Sequence, residues 1–177
     1  LWSVDLQGVG GPDAPTRMSG ADPNGLGDQW NVLDVSVHPG VATDPSIEDV
    51  LDSQGNSTGV GFFIDGTVSG FSRGSDRLLS DSIFVRAGNA DPSISWRLTG
   101  LTSGNVYSLF AYGINERGRE ATMTVDFNGD GDLSDEQSFE FNRDGYLFEG
   151  VFADDSGTLV GDLTAGNWAG FHLFEGI

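Results

Sequence analysis

Between residues 126 and 136 the chain reads D-F-N-G-D-G-D-L-S-D-E. Oxygen-bearing side chains fall at alternate places, Asp126, Asn128, Asp130, Asp132 and Ser134, and Gly131 stands sixth. A tightly turning chain aims every second side chain inward, and a glycine at the sixth place permits the sharp bend. Such spacing suits a hard cation that prefers oxygen ligands. Five carboxylates lie within these eleven residues, Asp126, Asp130, Asp132, Asp135 and Glu136, and they repel one another without a counter-ion. The predicted cofactor is therefore Ca2+, with Asp126, Asn128, Asp130 and Asp132 as donors and Asp135 or Glu136 closing the site. Its expected role is a staple rather than a reagent. The same letters also suit an acidic hairpin tip that holds no ion, because Asn, Gly and Asp are the residues turns prefer.

Strands must position that loop. Residues 121–125 alternate, with Met123 and Val125 on one face and Thr122 and Thr124 on the other, and Glu140 separates Phe139 from Phe141 in the same rhythm. An EF-hand needs helical flanks and a bidentate Glu at the twelfth place, where this chain has Gln137. The spacing thus predicts a cation loop inside a β-hairpin.

A second chemistry is open to Trp30 and Tyr112. A flat ring stacks on the C–H face of a pyranose, while planar polar side chains select the orientation of hydroxyls. Trp30 ends a long polar loop instead of sitting within an alternating strand, and Tyr112 adjoins G-I-N-E-R-G-R at residues 113–119. Asn115, Arg117 and Arg119 would supply the polar fork beside Tyr112; Arg73 and Arg77 would do so from another loop. The competing role is structural: Trp30 plugs the end of a sandwich, and the arginines neutralise nearby carboxylates. Trp96 is expected in the core, and Trp2 against Trp168 where the terminal strands pair. His172 is expected at the surface or edge of the last strand. Asp5 and Asp22 are candidate donors for a second cation.

Little else in the chain resembles catalytic machinery. Cysteine is absent, His38 and His172 are the only histidines, and no G-x-S-x-G elbow, H-E-x-x-H helix or P-loop stands out. The chain is therefore not expected to be an enzyme in its own right. Its net charge is −19 and all eight basic residues are arginine, a field that repels nucleic acid and anionic membranes alike. No apolar run approaches the length of a membrane span, so membrane insertion is not expected. Disulfides are excluded. An acidic, lysine-free, cysteine-free chain that relies on calcium points to a secreted, extracellular setting, and the start at Leu1 to a mature product or excised module.

Period-2 segments recur along all 177 residues with no long helical pattern. Strands are predicted at 2–6, 32–37, 49–53, 58–64, 93–98, 106–112, 146–152, 158–163 and 168–174, besides the two flanking the acidic loop. Residues 7–29 and 66–77 read as loops; 78–85 reads as either a short helix or a buried strand. A single all-β domain over 1–177 follows, an antiparallel β-sandwich of about ten strands. The simplest version is a jelly roll whose first and last strands lie side by side.

Several short motifs occur in order along this frame. Trp30-Asn31-x-Leu33 is followed by Asp52-Ser53-x-Gly55-x-x-Thr58-Gly59-Val60, then by Gly100-Leu101-Thr102-x-Gly104-x-x-Tyr107-x-Leu109-x-x-Tyr112-Gly113. Asp155-Ser156-Gly157-Thr158-Leu159 and Trp168-Ala169-Gly170-Phe171 close the run. The pattern resembles β-sandwich domains of exported planctomycete and verrucomicrobial proteins. It is also similar to the galactose-binding-like jelly rolls that serve as carbohydrate-binding modules beside polysaccharide-degrading enzymes. The resemblance implies a polysaccharide partner and a catalytic domain elsewhere in the parent chain. A structural or adhesive domain that binds protein or matrix without recognising sugar is the alternative.

Overall fold

The computed structural model describes residues 2–7, 17–18, 28–29, 31–35, 41–72, 81–84, 93–113, 121–141 and 145–175. In chain order the strands are β1 (Trp2–Gln7), β2 (Arg17–Met18), β3 (Asp28–Gln29), β4 (Asn31–Asp34), β5 (Val41–Thr43) and β6 (Ser46–Leu51). Next come β7 (Ser57–Asp65), β8 (Thr67–Ser72), β9 (Asp81–Phe84), β10 (Ile94–Thr99) and β11 (Val106–Gly113). The chain continues with β12 (Ala121–Val125), β13 (Ser138–Phe141), β14 (Tyr146–Phe152), β15 (Leu159–Ala165) and β16 (Asn167–Glu175). Helical structure among the described residues is confined to one 3-10 turn, Leu133–Asp135.

Fourteen of these strands form two packed sheets. The eight-stranded sheet runs β14-β11-β16-β9-β8-β5, with β1 beside β16 and β4 beside β1; the six-stranded sheet runs β13-β12-β15-β10-β7-β6. First and last strands pair antiparallel, Trp2 opposite Leu173 and Val4 opposite Phe171, as the jelly-roll expectation requires. One pair departs from the antiparallel rule: β1 and β4 run parallel, Val4 opposite Asn31. The Asn31 side chain then spans to the other sheet. Its amide donates to the Ser3 carbonyl at 3.0 Å and the Leu51 carbonyl at 2.9 Å, and its oxygen accepts from the Leu51 N–H at 2.7 Å.

Alternation places the core. Phe62, Ile64, Trp96, Leu98, Leu159 and Leu163 point inward from one sheet and meet Leu109, Ala111, Phe171 and Leu173 from the other. Trp168 is central: its ring centroid lies 5.7 Å from those of Phe62 and Trp96, and 5.5 Å from that of Phe171.

Four expectations need correction. Residues 67–72 form β8 rather than a flexible loop, because T-V-S-G-F-S still alternates and both of its edges find partners in β5 and β9. Within 7–29 a short ladder joins β2 to β3. Trp2 does not stack on Trp168: the register puts it opposite Leu173, five residues away, and it packs against Tyr107 at 6.0 Å. His172 is not a surface residue but 1 % exposed, since β16 is hydrogen-bonded on both sides and rings cover its outer face. Over 81–84 the strand alternative holds.

Candidate functional site

The acidic loop joins β12 to β13, and its carboxylates organise its own backbone. Asp126 is 2 % exposed and accepts the Gly129 N–H at 2.7 Å on one oxygen and the Gly131 N–H at 2.8 Å on the other. Asn128, Asp130 and Asp132 each accept the N–H two residues ahead, at 2.9, 2.8 and 2.9 Å. Three consecutive turns of this kind wind the loop tightly on itself. Gly129 and Gly131 have φ of 75° and 80°, a region glycine enters without strain. Glu136, not Asp135, reaches back to the start of the loop and accepts the Phe127 N–H at 3.0 Å. Bonds from the Ser134 N–H and hydroxyl hold the Asp132 carboxyl below its usual value.

Hard oxygen donors stand at the spacing calcium favours, and a carboxylate that accepts one N–H retains lone pairs for a cation. The loop is, however, satisfied by its own amides. Among the described residues, no three Asp, Glu or His side chains converge into a group that would hold a metal.

The second feature is a row of rings on the outer face of the eight-stranded sheet. Tyr107, Leu109 and Ala111 of β11 point into the core, so Phe110 and Tyr112 point away from it. Phe110 lies opposite His172 and Tyr112 opposite Gly170. Ring centroids follow in series: Phe110 to Tyr112 at 4.8 Å, Tyr112 to His172 at 5.4 Å, His172 to Phe174 at 6.1 Å. Phe110 also leans across Gly145, where a Cβ would fall 2.3 Å from the ring. Leu147, opposite Phe110 on β14, is 37 % exposed. Beneath the rings, Ser3 Oγ and His172 Nδ1 lie 2.7 Å apart. Burial pushes the Tyr112 hydroxyl up to about 12.

Tyr112 is thus the one sequence-predicted sugar contact that the described structure positions. Trp30, Arg73, Arg77, Asn115, Arg117, Arg119 and Asp22 lie outside the described residues, as does His38, and of Asp5 only the backbone is described. Phe110 and Phe174 were missed although V-Y-S-L-F-A-Y alternates. Both faces of that strand are aromatic, and the letters do not say which one meets solvent.

One motif escapes a first reading. Gly55-Asn56-Ser57-Thr58-Gly59 spells the G-x-S-x-G of a nucleophile elbow. An elbow needs a strand-to-helix turn, and these residues form the β6–β7 hairpin turn instead. Ser57 donates to the Asp49 carboxylate, which helps to hold that group below its usual value. The described histidine, His172, is committed to Ser3 on the other sheet. The motif is a turn.

No protein-family model and no curated protein matches the chain. Among solved structures it is similar to TmCBM61 in complex with beta-1,4-galactotriose, at 17 % identity over 62 % of this chain and 82 % of that one. The TM-score is 0.32, too low to carry an argument about fold or ligand.

Proposed function

We propose that this chain is a non-catalytic carbohydrate-binding module that works outside the cell and holds an enzyme or a surface near a polysaccharide. What carries the reading is the set of half-buried rings Phe110, Tyr112 and Phe174 on the outer face of a sheet whose core face is already filled, with His172 buried among them. Phe110, Tyr112 and Phe174 are not needed to close the sandwich, and the exposed part of a single ring among them is the kind of apolar surface that a pyranose face stacks on. Tyr112 adds a hydroxyl at the same spot.

Affinity electrophoresis against galactan, xylan, laminarin and polygalacturonate tests the reading. The wild-type chain is expected to be retarded by at least one polymer, and Tyr112→Ala to weaken that binding about tenfold. Retardation by none, with and without calcium, would reject a sugar ligand. The adhesive alternative has one observation behind it: Trp96 and Trp168 are buried and Trp2 is half-buried against Tyr107, so none of these three indoles is a free platform. Pull-down on matrix protein with no polysaccharide binding would favour that second reading.

Calcium belongs to the same proposal. Asp126, Asn128, Asp130, Asp132 and Glu136 would hold it, and the ion would supply the counter-charge these crowded oxygens lack. An ion bound only by the folded state raises the melting temperature, so a chelator should lower it and Asp130→Ala should lower it without a chelator. A melting curve indifferent to both would remove the ion from the proposal.

A further inference from the structure

The outer face of the six-stranded sheet holds a second, unlike arrangement. Phe63 projects outward from β7, and the end of its ring overhangs Gly61, where a Cβ would stand 2.5 Å from the ring. Arg97 is opposite Phe63 on β10; its guanidinium carbon sits 4.8 Å from the ring centroid, and its Nη1 donates to the Asp65 carboxylate. Ring and guanidinium together make a flat platform with a fixed hydrogen-bonding edge.

One rung along the sheet, Asp162 of β15 lies between Ser95 on β10 and Thr124 on β12. Its Oδ1 is shielded, and among the described residues no hydrogen-bond donor reaches it. The Thr124 hydroxyl is already committed to Ser138 at 2.7 Å. A carboxylate oxygen kept from water without a donor costs free energy, and folded proteins rarely leave one in that condition. Asp162 as a whole is half-buried, so it stands at the edge of solvent on this face. Its donor can come from water or from the hydroxyl of a ligand that displaces that water.

A neutral, hydroxyl-rich chain supplies what this face lacks: O–H donors for Asp162, a C–H face for the platform, and oxygen acceptors for Arg97. An acidic polymer does not, since Asp65 and Asp162 would meet its carboxylates at close range. We propose that the outer face of the six-stranded sheet is a second saccharide-binding surface, selective for neutral chains, with Asp162 reading a hydroxyl beside the Phe63–Arg97 platform. The proposal rests on the carbohydrate reading above but on different residues.

The test adds Ser95→Trp, Arg97→Ala and Asp162→Ala to the electrophoresis series, with melting temperature as the control for folding. Ser95 is exposed, so a tryptophan there crowds the surface without entering the core. Expected are about tenfold weaker binding in each variant, melting temperatures at or above wild type, and no retardation by polygalacturonate. Should Ser95→Trp not fold, Arg97→Ala decides in its place. Wild-type affinity in these variants, together with loss in Tyr112→Ala, would overturn this second surface while leaving the carbohydrate reading intact. Failure of the wild-type chain to bind any polymer overturns both.

Discussion

Two glycines of the six-stranded sheet each sit beneath an aromatic ring, one on each face. Gly161 points to the core, where a Cβ would lie 2.4 Å from the Trp96 indole and 2.6 Å from the Thr124 carbonyl oxygen. Gly61 points outward, and its Cβ would meet the far end of the Phe63 ring at 2.5 and 2.9 Å. The device is the same but its consequences are not. Beneath Trp96 the glycine lets a large ring fill the sandwich, so the pair is explained by packing. Beneath Phe63 nothing in the core is gained, and the end of the ring reaches over the outer face of the sheet. A ring placed where stability does not ask for it is the stronger pointer to a ligand.

The largest effect should come from the core ring. Trp96→Ala is expected to lower the unfolding free energy by about 4 kcal/mol in urea, while Phe63→Ala should cost about 1 kcal/mol or less. Comparable losses at the two sites would break the comparison, because Phe63 would then be a packing residue. The glycines come next. Gly161→Ala meets a backbone oxygen and a locked indole, neither of which can retreat, and is expected to cost about 3 kcal/mol. Gly61→Ala meets the end of the Phe63 ring and, at 3.1 Å, the Thr99 hydroxyl, two side-chain groups that can give way, so its cost should stay below about 1 kcal/mol. Its effect should instead be read in binding, as the tilted ring loses its platform.

The contrast also explains what the letters could and could not convey. Alternation in S-I-S-W-R-L gave β10 its inward Trp96, and the rhythm on either side of the acidic loop gave its hairpin, because period 2 is a local property of the chain. The glycine at the loop's sixth place was likewise legible. His172 was misread for a non-local reason. F-H-L suggests one wet face, but pairing with β11 brings Tyr112 to the imidazole, pairing with β1 brings Ser3, and Phe174 of the same strand lies beside it. Trp2 and Trp168 were joined in expectation since both lie in the terminal strands, and only the register separates them. Phe63 and Gly61 sit in a run, G-V-G-F-F-I-D, that reads as buried throughout. That Phe62 turns in and Phe63 turns out depends on which neighbour each meets across the strand.

Acid offers the mildest and last test. Bonds from Ser57, Gly59 and Thr58 hold Asp49 below its usual value, and bonds from the Asn56 side chain and backbone do the same for Asp52. At Asp154 burial pushes upward, but bonds from Ser156, Thr158 and Gly157 outweigh it and the net direction is down. A carboxyl with a depressed folded-state value stabilises the protein above its unfolded value of 3.8 and loses that contribution as pH falls through the folded value. The urea midpoint should therefore stay level from neutrality to about pH 5 and decline only in stronger acid. Asp52 and Asp154 belong to turns and Asp49 to β6, where it bonds to the start of β7, and none of them bonds to either glycine–ring pair. Wild type, Gly161→Ala and Gly61→Ala should then decline in parallel, offset from one another but with a common shape. A Gly61→Ala curve of different shape would mean that holding Phe63 over Gly61 also tunes the Arg97–Asp65 pair beside it, and the outer ring would no longer be energetically separate from the charges it lies among.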